Sequence, residues 1–144
     1  MKKVFTVILV SVFALAFVAC GPSAGQVELA KLYKDVTKSY NDAAKAVADA
    51  KTADDALKAI EKGLALKKDL ADKKEALVKK FADAKDSDAT KKEADELKKA
   101  QDAFGKAKAD AAKKYEKDKK FADELAKLEK PVEKKADEKK AEKK

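Results

Sequence analysis

Few residues of this chain are suited to chemistry, and the most distinctive is a lone cysteine, Cys20, in a sequence of 144 residues without histidine or tryptophan. Without histidine, the commonest general base and metal ligand is missing. Acids occur side by side, as at Asp54 and Asp55, but neighbouring residues of a helix point in different directions and make poor paired-carboxylate sites. The residue types therefore predict a protein that is not an enzyme and that has neither a metal site nor a catalytic cofactor.

The residues before Cys20 have the pattern of an export signal. Lys2 and Lys3 are followed by an apolar stretch over residues 4–18 that only Thr6 and Ser11 interrupt. A helix of roughly 15 residues is about 22 Å long, which is shorter than the hydrocarbon core of about 30 Å that a permanent span must cross. The pattern therefore predicts a signal peptide over residues 1–19 that is removed from the mature chain.

Phe17, Val18, Ala19 and Cys20 together resemble the bacterial lipobox, the site that signal peptidase II recognises. The resemblance implies cleavage before Cys20, diacylglycerol on its sulfur and a fatty acid such as palmitate on its new amino group. Two acyl chains already anchor a protein stably, so the membrane is the expected partner of this end. Gly21 stands where an aspartate retains many such lipoproteins in the inner membrane, which implies the outer membrane. In the family Phe17 is usually Leu or Val.

The composition after Cys20 favours helices with much wet surface. In the whole chain all basic residues are lysine, 43% of the residues are charged and the net charge is +8, to which Lys2 and Lys3 of the leader contribute +2. Much of the hydrophobic fraction of 45% is alanine, which with Lys, Glu and Leu forms helices most readily. Lysines have acidic neighbours along the whole chain and arginine is absent, so no nucleic-acid partner is expected despite the calculated pI of about 9.3.

Apolar residues recur at helical spacing in three stretches, which predicts an all-α protein. Thr52 and Asp55 form the signature of a capping box between the first two stretches, and Thr90 with Glu93 forms one at the start of the third. Pro131 ends the pattern. The predicted organisation is a lipidated cysteine and flexible tether over 20–26, a helical domain over 27–130 with helices at 27–50, 53–85 and 90–129, and a disordered lysine-rich tail over 131–144.

These helices predict an elongated antiparallel three-helix bundle. No Gly or Pro enforces a break at Thr52, so a long two-helix hairpin or coiled coil is the alternative. Tyr33, Tyr40 and Tyr115 are expected in the core, because they share a face with apolar residues, rather than in an exposed binding stripe. Gly63, inside the second helix, should cost about 1 kcal/mol relative to alanine.

The lipid anchor and the Lys- and Ala-rich helices together resemble the small helical lipoproteins of the Gram-negative envelope and of spirochaetes. There is a distant similarity to the Braun-type lipoprotein, whose terminal lysine is joined to peptidoglycan, but its strict short heptads and its Tyr-Arg before that lysine are missing here. The resemblance implies a non-enzymatic spacer or scaffold in the periplasm.

Two other functions are consistent with the sequence. One is a surface-exposed adhesin or antigen that binds a host ligand, and the other is an accessory subunit whose helices complete a complex with a partner or by self-association. The cationic tail could also contact anionic cell-wall or glycan groups through its last lysines. These are Lys139, Lys140, Lys143 and Lys144.

Overall fold

A computed structural model describes residues 21–130, which fold into four helices without any strand. The helices pack as a bundle, so the predicted all-α class and helical-bundle architecture are confirmed. Their bounds are α1 (Ala24–Ala48), α2 (Ala53–Lys80), α3 (Asp88–Lys114) and α4 (Lys119–Glu129).

Helix α1 is the centre of the bundle, because α2 and α3 both pack against it and touch each other only slightly. Its apolar residues recur every three or four positions and so form one continuous stripe along the helix. Full burial of a side chain such as Leu29 stabilises the fold by about 1.5–3 kcal/mol. The buried stripe consists of Leu29, Tyr33, Val36, Tyr40, Ala43 and Val47.

The first helix begins earlier than the sequence predicts. Ser23 is its N-cap, and the Ser23 hydroxyl accepts a hydrogen bond from the backbone of Gln26 while the Gln26 side chain accepts one from Ser23 N at 3.0 Å. Gly25 is buried so tightly that a Cβ there would lie 2.5 Å from Asp83 Oδ1. The prediction of a flexible tether up to residue 26 is therefore wrong from Ser23 onward.

The chain does break at Thr52, so the alternative of a two-helix hairpin is wrong. The Thr52 hydroxyl accepts a hydrogen bond from Asp55 N at 3.1 Å and donates one to the Asp55 carboxylate at 2.7 Å. The first of these bonds satisfies a backbone N–H in the first turn of α2, as a capping residue should, and the second holds the two side chains together. Helix α2 then runs back along α1.

The connection between α2 and α3 is longer than predicted. Helix α2 ends at Lys80 rather than at residue 85, because Phe81 takes an extended conformation. Helix α3 has Ser87, not Thr90, as its N-cap. Thr90 is fully buried in the first turn, where its hydroxyl accepts a hydrogen bond from Ser87 N at 3.0 Å and donates one to the Ser87 carbonyl at 3.2 Å.

The predicted third helix over 90–129 is two helices, which corrects the helix count. The chain turns after Tyr115, and the Asp118 carboxylate caps the start of α4 by accepting a hydrogen bond from Phe121 N at 3.1 Å. The Phe121 ring is only 1% exposed and lies 5.3 Å from the Tyr115 ring. Helix α4 packs against α2, and Glu129 near its end pairs with Lys108 of α3. The turn contains neither Gly nor Pro, so the sequence lacks these two local signals for it. Burial of Phe121 favours the turn.

Candidate functional surfaces

The residues singled out for processing and for ionic contact lie outside the described residues 21–130. Lipidation of Cys20, its recognition through Phe17, Val18 and Ala19, and the contacts of the terminal lysines therefore stay predictions. The affected lysines are Lys139, Lys140, Lys143 and Lys144.

The three tyrosines belong to the interior of the bundle, as expected from their spacing. Tyr33 and Tyr40 are each 4% exposed, and the Tyr40 ring lies 5.8 Å from that of Phe104. Burial raises the pKa of Tyr40. Tyr115 is half-buried and donates a hydrogen bond to the carbonyl of Ala50 at 3.0 Å. These rings stabilise helix contacts and do not form an exposed binding stripe.

A polar cluster of Tyr33, Lys74 and Asp86 connects α1 to α2 and to the segment between α2 and α3. It extends from the buried tyrosine to the exposed aspartate. The Tyr33 hydroxyl donates a hydrogen bond to the Asp86 carboxylate. The Lys74 ammonium donates to the Tyr33 hydroxyl at 2.8 Å and to Asp86 at 2.7 Å. Sequence reasoning missed this cluster, since its members are far apart in the chain. The one available signal was that a buried tyrosine hydroxyl usually has a partner.

The protonation states of this cluster suit a structural tie and not a reactive site. Hydrogen bonds from Lys74 and Tyr33 hold the pKa of Asp86 below its ordinary value. Burial is the main cause that raises the pKa of Tyr33, and the hydrogen bond to Asp86 raises it further. Partial burial works against the charge of Lys74, but its bonds to Asp86 and Tyr33 leave its pKa raised. Tyr33 is therefore a protonated donor at neutral pH, which makes it a poor nucleophile.

An open groove of about 490 Å³ runs between α1 and α2. Its floor is apolar, with Leu32 and Val36 from α1 and Leu66 and Leu77 from α2. Its rims carry charges of both signs. Two ion pairs lie on the rims, Lys31 with Glu28 and Lys73 with Asp69, each at 2.8 Å. Such a groove suits the apolar face of another helix. The rim residues are Glu28, Lys31, Asp35, Asp69, Lys73 and Lys80.

A second groove, of about 390 Å³, lies between α1 and α3 towards the opposite end. Its floor consists mainly of alanines, such as Ala44 and Ala48 of α1 and Ala107 of α3. Small side chains allow the two helices to approach closely but offer little apolar area to a partner. This groove is therefore a weaker candidate for docking.

Two further findings concern the described part of the chain. Within residues 21–130, no three acidic, cysteine or histidine side chains gather in a way that could hold a metal ion. None of the four helices is long and apolar enough to cross a bilayer.

Comparisons with protein-family models, with curated proteins and with solved structures found no match to this chain.

Proposed function

We propose that this chain is a non-enzymatic lipoprotein of the bacterial envelope that is anchored at Cys20 in the outer membrane and acts as a structural spacer in the periplasm. The observation that carries the proposal is the position of the lipobox-like segment relative to the fold. Only Gly21 and Pro22 separate Cys20 from the Ser23 cap of α1. Three residues of extended chain span about 10 Å, so a lipid on Cys20 would hold the bundle close to the bilayer.

The shape of the bundle supports a spacer. Helix α2 has 28 residues and is about 42 Å long, and α1 and α3 are nearly as long. A rod held by a short connection at one end presents its other end at about that distance. The side chains best placed for chemistry in the described residues are engaged in helix packing and ion pairs, which supports a non-enzymatic role.

The anchor is tested by mass spectrometry of the peptide that contains Cys20, isolated from membranes. We expect a mature chain that begins at Cys20 and carries three acyl groups, and we expect Cys20→Ser to abolish both the acylation and the membrane association. Phe17→Leu is the matched variant, since it brings the segment closer to the preferred lipobox and should be processed at least as well. A chain that retains residues 1–19 or begins elsewhere contradicts the proposal.

The location of the bundle is tested by protease treatment of intact and permeabilised cells, with a tag placed after Lys144. A tag that is cleaved only after permeabilisation agrees with a periplasmic spacer, whose lysine-rich tail would contact anionic cell-wall groups. A tag lost from intact cells contradicts it and favours the alternative of a surface adhesin or antigen.

The groove between α1 and α2 favours a second candidate, an accessory subunit that completes a helical complex. A photo-crosslinker at Ala76, which lines this groove, should then capture a partner, whereas one at the exposed Ala109 should not. If the acyl-free chain unfolds cooperatively as a monomer, that argues against this candidate, because a subunit that awaits its partner should be loosely packed alone.

A further inference from the structure

The exposed large apolar side chains of the described residues are gathered at one end of the bundle. Val27 is 38% exposed and Val78 is 40% exposed, while the other large apolar side chains of residues 21–130 are buried or half-buried. Val27 lies in the first turn of α1 and Val78 lies in the last turn of α2. Neither side chain lines the groove between these helices. Their exposure therefore needs a separate explanation.

The first turn of α1 and the last turn of α2 belong to the same end because the two helices are antiparallel. Gly25 packs against Phe81 and Ala84, which follow α2 directly. Glu28 of α1 and Lys80 of α2 both line the groove between these helices at this end. Residues 23–28 and 77–88 are named the proximal end here, because this end is the nearest in sequence to Cys20.

The proximal end carries exposed charges of both signs, including two lysines that are not in the ion pairs of this end. Two of its acids are neutralised within the protein, since Glu28 pairs with Lys31 and Asp86 pairs with Lys74. Asp83, which lies near Gly25, and Asp88, in the first turn of α3, remain as exposed acids and balance the charge of two lysines; Lys79 pairs with Glu75. Among the lysines, Lys80 lies 5.2 Å from the centre of the Phe81 ring, and Lys85 is exposed in the connection. Valines beside lysines are compatible with a bilayer, because the valines can enter the acyl boundary while the lysine ammonium groups extend to the phosphates.

We infer that the proximal end is a lipid-contacting surface, in which Val27 and Val78 meet the boundary between headgroups and acyl chains while Lys80 and Lys85 contact the phosphates of anionic headgroups. The proposed lipid on Cys20 determines the occupant, since Cys20 comes three residues before Ser23. An anchor at Cys20 lies within about 10 Å of Ser23, and interfacial side chains enter a bilayer by about 5–10 Å. The inference rests on one part of the proposed function, the acylation of Cys20.

The test uses the full acylated chain in vesicles and a single tryptophan as the reporter, because the sequence contains none. Val27→Trp places the reporter at the proximal end, and Ala46→Trp places it at an exposed position of the same helix about 28 Å away. Lipids with brominated acyl chains should quench the fluorescence of the Val27→Trp variant several-fold more than that of the Ala46→Trp variant. Val78→Trp is the second proximal reporter and should behave like Val27→Trp.

Three outcomes of this experiment contradict the inference. Absence of quenching in both proximal reporters means that the bundle stands away from the bilayer. Equal quenching of the proximal reporters and of Ala46→Trp means that the bundle lies along the surface instead of meeting it with one end. Emission that shifts to shorter wavelength with rising protein concentration but not with lipid assigns the surface to a second copy of the chain.

The role of the lysines is tested with vesicles of phosphatidylcholine alone and with vesicles that also contain phosphatidylglycerol. Lys80→Gln combined with Lys85→Gln should reduce the quenching of Val27→Trp in the anionic vesicles and leave it unchanged in the neutral ones. The matched control is Lys106→Gln combined with Lys113→Gln, two exposed lysines towards the other end of α3. An equal effect of both pairs contradicts the assigned contacts.

Failure of this inference can be distinguished from failure of the proposed function. The acylation of Cys20 is measured by mass spectrometry in the same samples. An unacylated Cys20 overturns the proposed anchor, whereas an acylated Cys20 with unquenched proximal reporters overturns only the lipid-contacting surface.

Discussion

At the scale of single residues, Tyr33 has two functions in the fold. Its ring belongs to the buried stripe of α1, and its hydroxyl reaches the polar cluster with Lys74 and Asp86. Loss of the hydroxyl removes two hydrogen bonds and should cost about 1–2 kcal/mol, since each usually contributes about 1 kcal/mol net. The cluster thus stabilises the packing of α1 against α2 next to the proximal end. It also makes the stability of the protein depend on pH.

Asp86→Asn should remove this pH dependence. The pKa of Asp86 is lowered in the folded protein by Lys74 and Tyr33, so its stabilisation is present above the ordinary value of 3.8 and is lost as the pH falls through the lower folded-state pKa. The Asp86 side chain is 60% exposed, so the loss at neutral pH should be at most about 1 kcal/mol. Urea unfolding at a series of pH values measures the difference from the wild type, which should shrink in acid.

Tyr33→Phe is the companion variant for that measurement. It removes one donor to Asp86 and keeps the bond that Lys74 donates to Asp86, so its pH-dependent loss should be smaller than that of Asp86→Asn. Parallel stability curves for Asp86→Asn and the wild type down to acid pH would contradict the assigned contribution of the carboxylate.

Two glycines inside helices should respond in opposite ways to substitution by alanine. A Cβ at Gly63 would lie 2.2 Å from two ring carbons of Phe104, whereas Gly105 has nothing within 4 Å. Gly105→Ala should stabilise the protein by about 1 kcal/mol through helix propensity alone. Gly63→Ala should destabilise it by about 1–2 kcal/mol, because the clash outweighs the same gain.

Thermal or urea unfolding followed by circular dichroism measures both glycine variants, and each is the control for the other. A stabilising Gly63→Ala would mean that the Phe104 ring moves aside at little cost. Helix propensity alone predicts the same gain at both positions, so the sign at Gly63 separates propensity from packing.

At the scale of elements, α4 is a short helix with one fully buried side chain, that of Phe121, beside the half-buried Leu125 and Leu128. It has 11 residues, too few for stability in isolation, and Phe121 is its buried residue. Phe121→Ala should cost about 3 kcal/mol or more. Hydrogen exchange should then show loss of protection over Lys119–Glu129 while α1 stays protected.

Ala122→Gly is the matched control for the docking of α4. It lowers the helix propensity at an exposed neighbouring position by about 1 kcal/mol and keeps the Phe121 contact. If this variant releases α4 as completely as Phe121→Ala does, propensity rather than burial holds the helix in place.

At the scale of the whole molecule, the packing is uneven along α2. Its buried residues are Ala56, Ala59, Ile60 and Gly63, and none follows Gly63. The leucines beyond that point are half-buried, and two of them, Leu66 and Leu77, line the groove shared with α1. A helix segment with few buried contacts opens locally at a lower free energy.

Hydrogen exchange of the whole chain should reveal this difference. We expect backbone amides of residues 66–80 to exchange faster than those of residues 56–63, although both segments belong to one helix. The opposing part of α1 is the internal control, because its stripe stays buried there and should remain protected. Uniform protection along α2 would contradict the prediction, and protection gained only on vesicles would indicate that the bilayer supports this end.

The local features of this protein could be predicted from the amino-acid sequence. The spacing of apolar residues predicted the all-α class and the buried stripe of α1, and Thr52 with Asp55 marked the start of α2, because propensity, periodicity and capping act over a few neighbouring residues. The leader and Cys20 are also local patterns, and their function remains a prediction.

Features that depend on residues far apart in the sequence are visible only in the tertiary structure. The turn before α4 depends on the burial of Phe121, and the room left by Gly63 is occupied by Phe104 from another helix. The tie between Tyr33 and Asp86 joins positions far apart in sequence. Such contacts arise when helices pack together, and neither helix contains the information alone, so local patterns could not predict them.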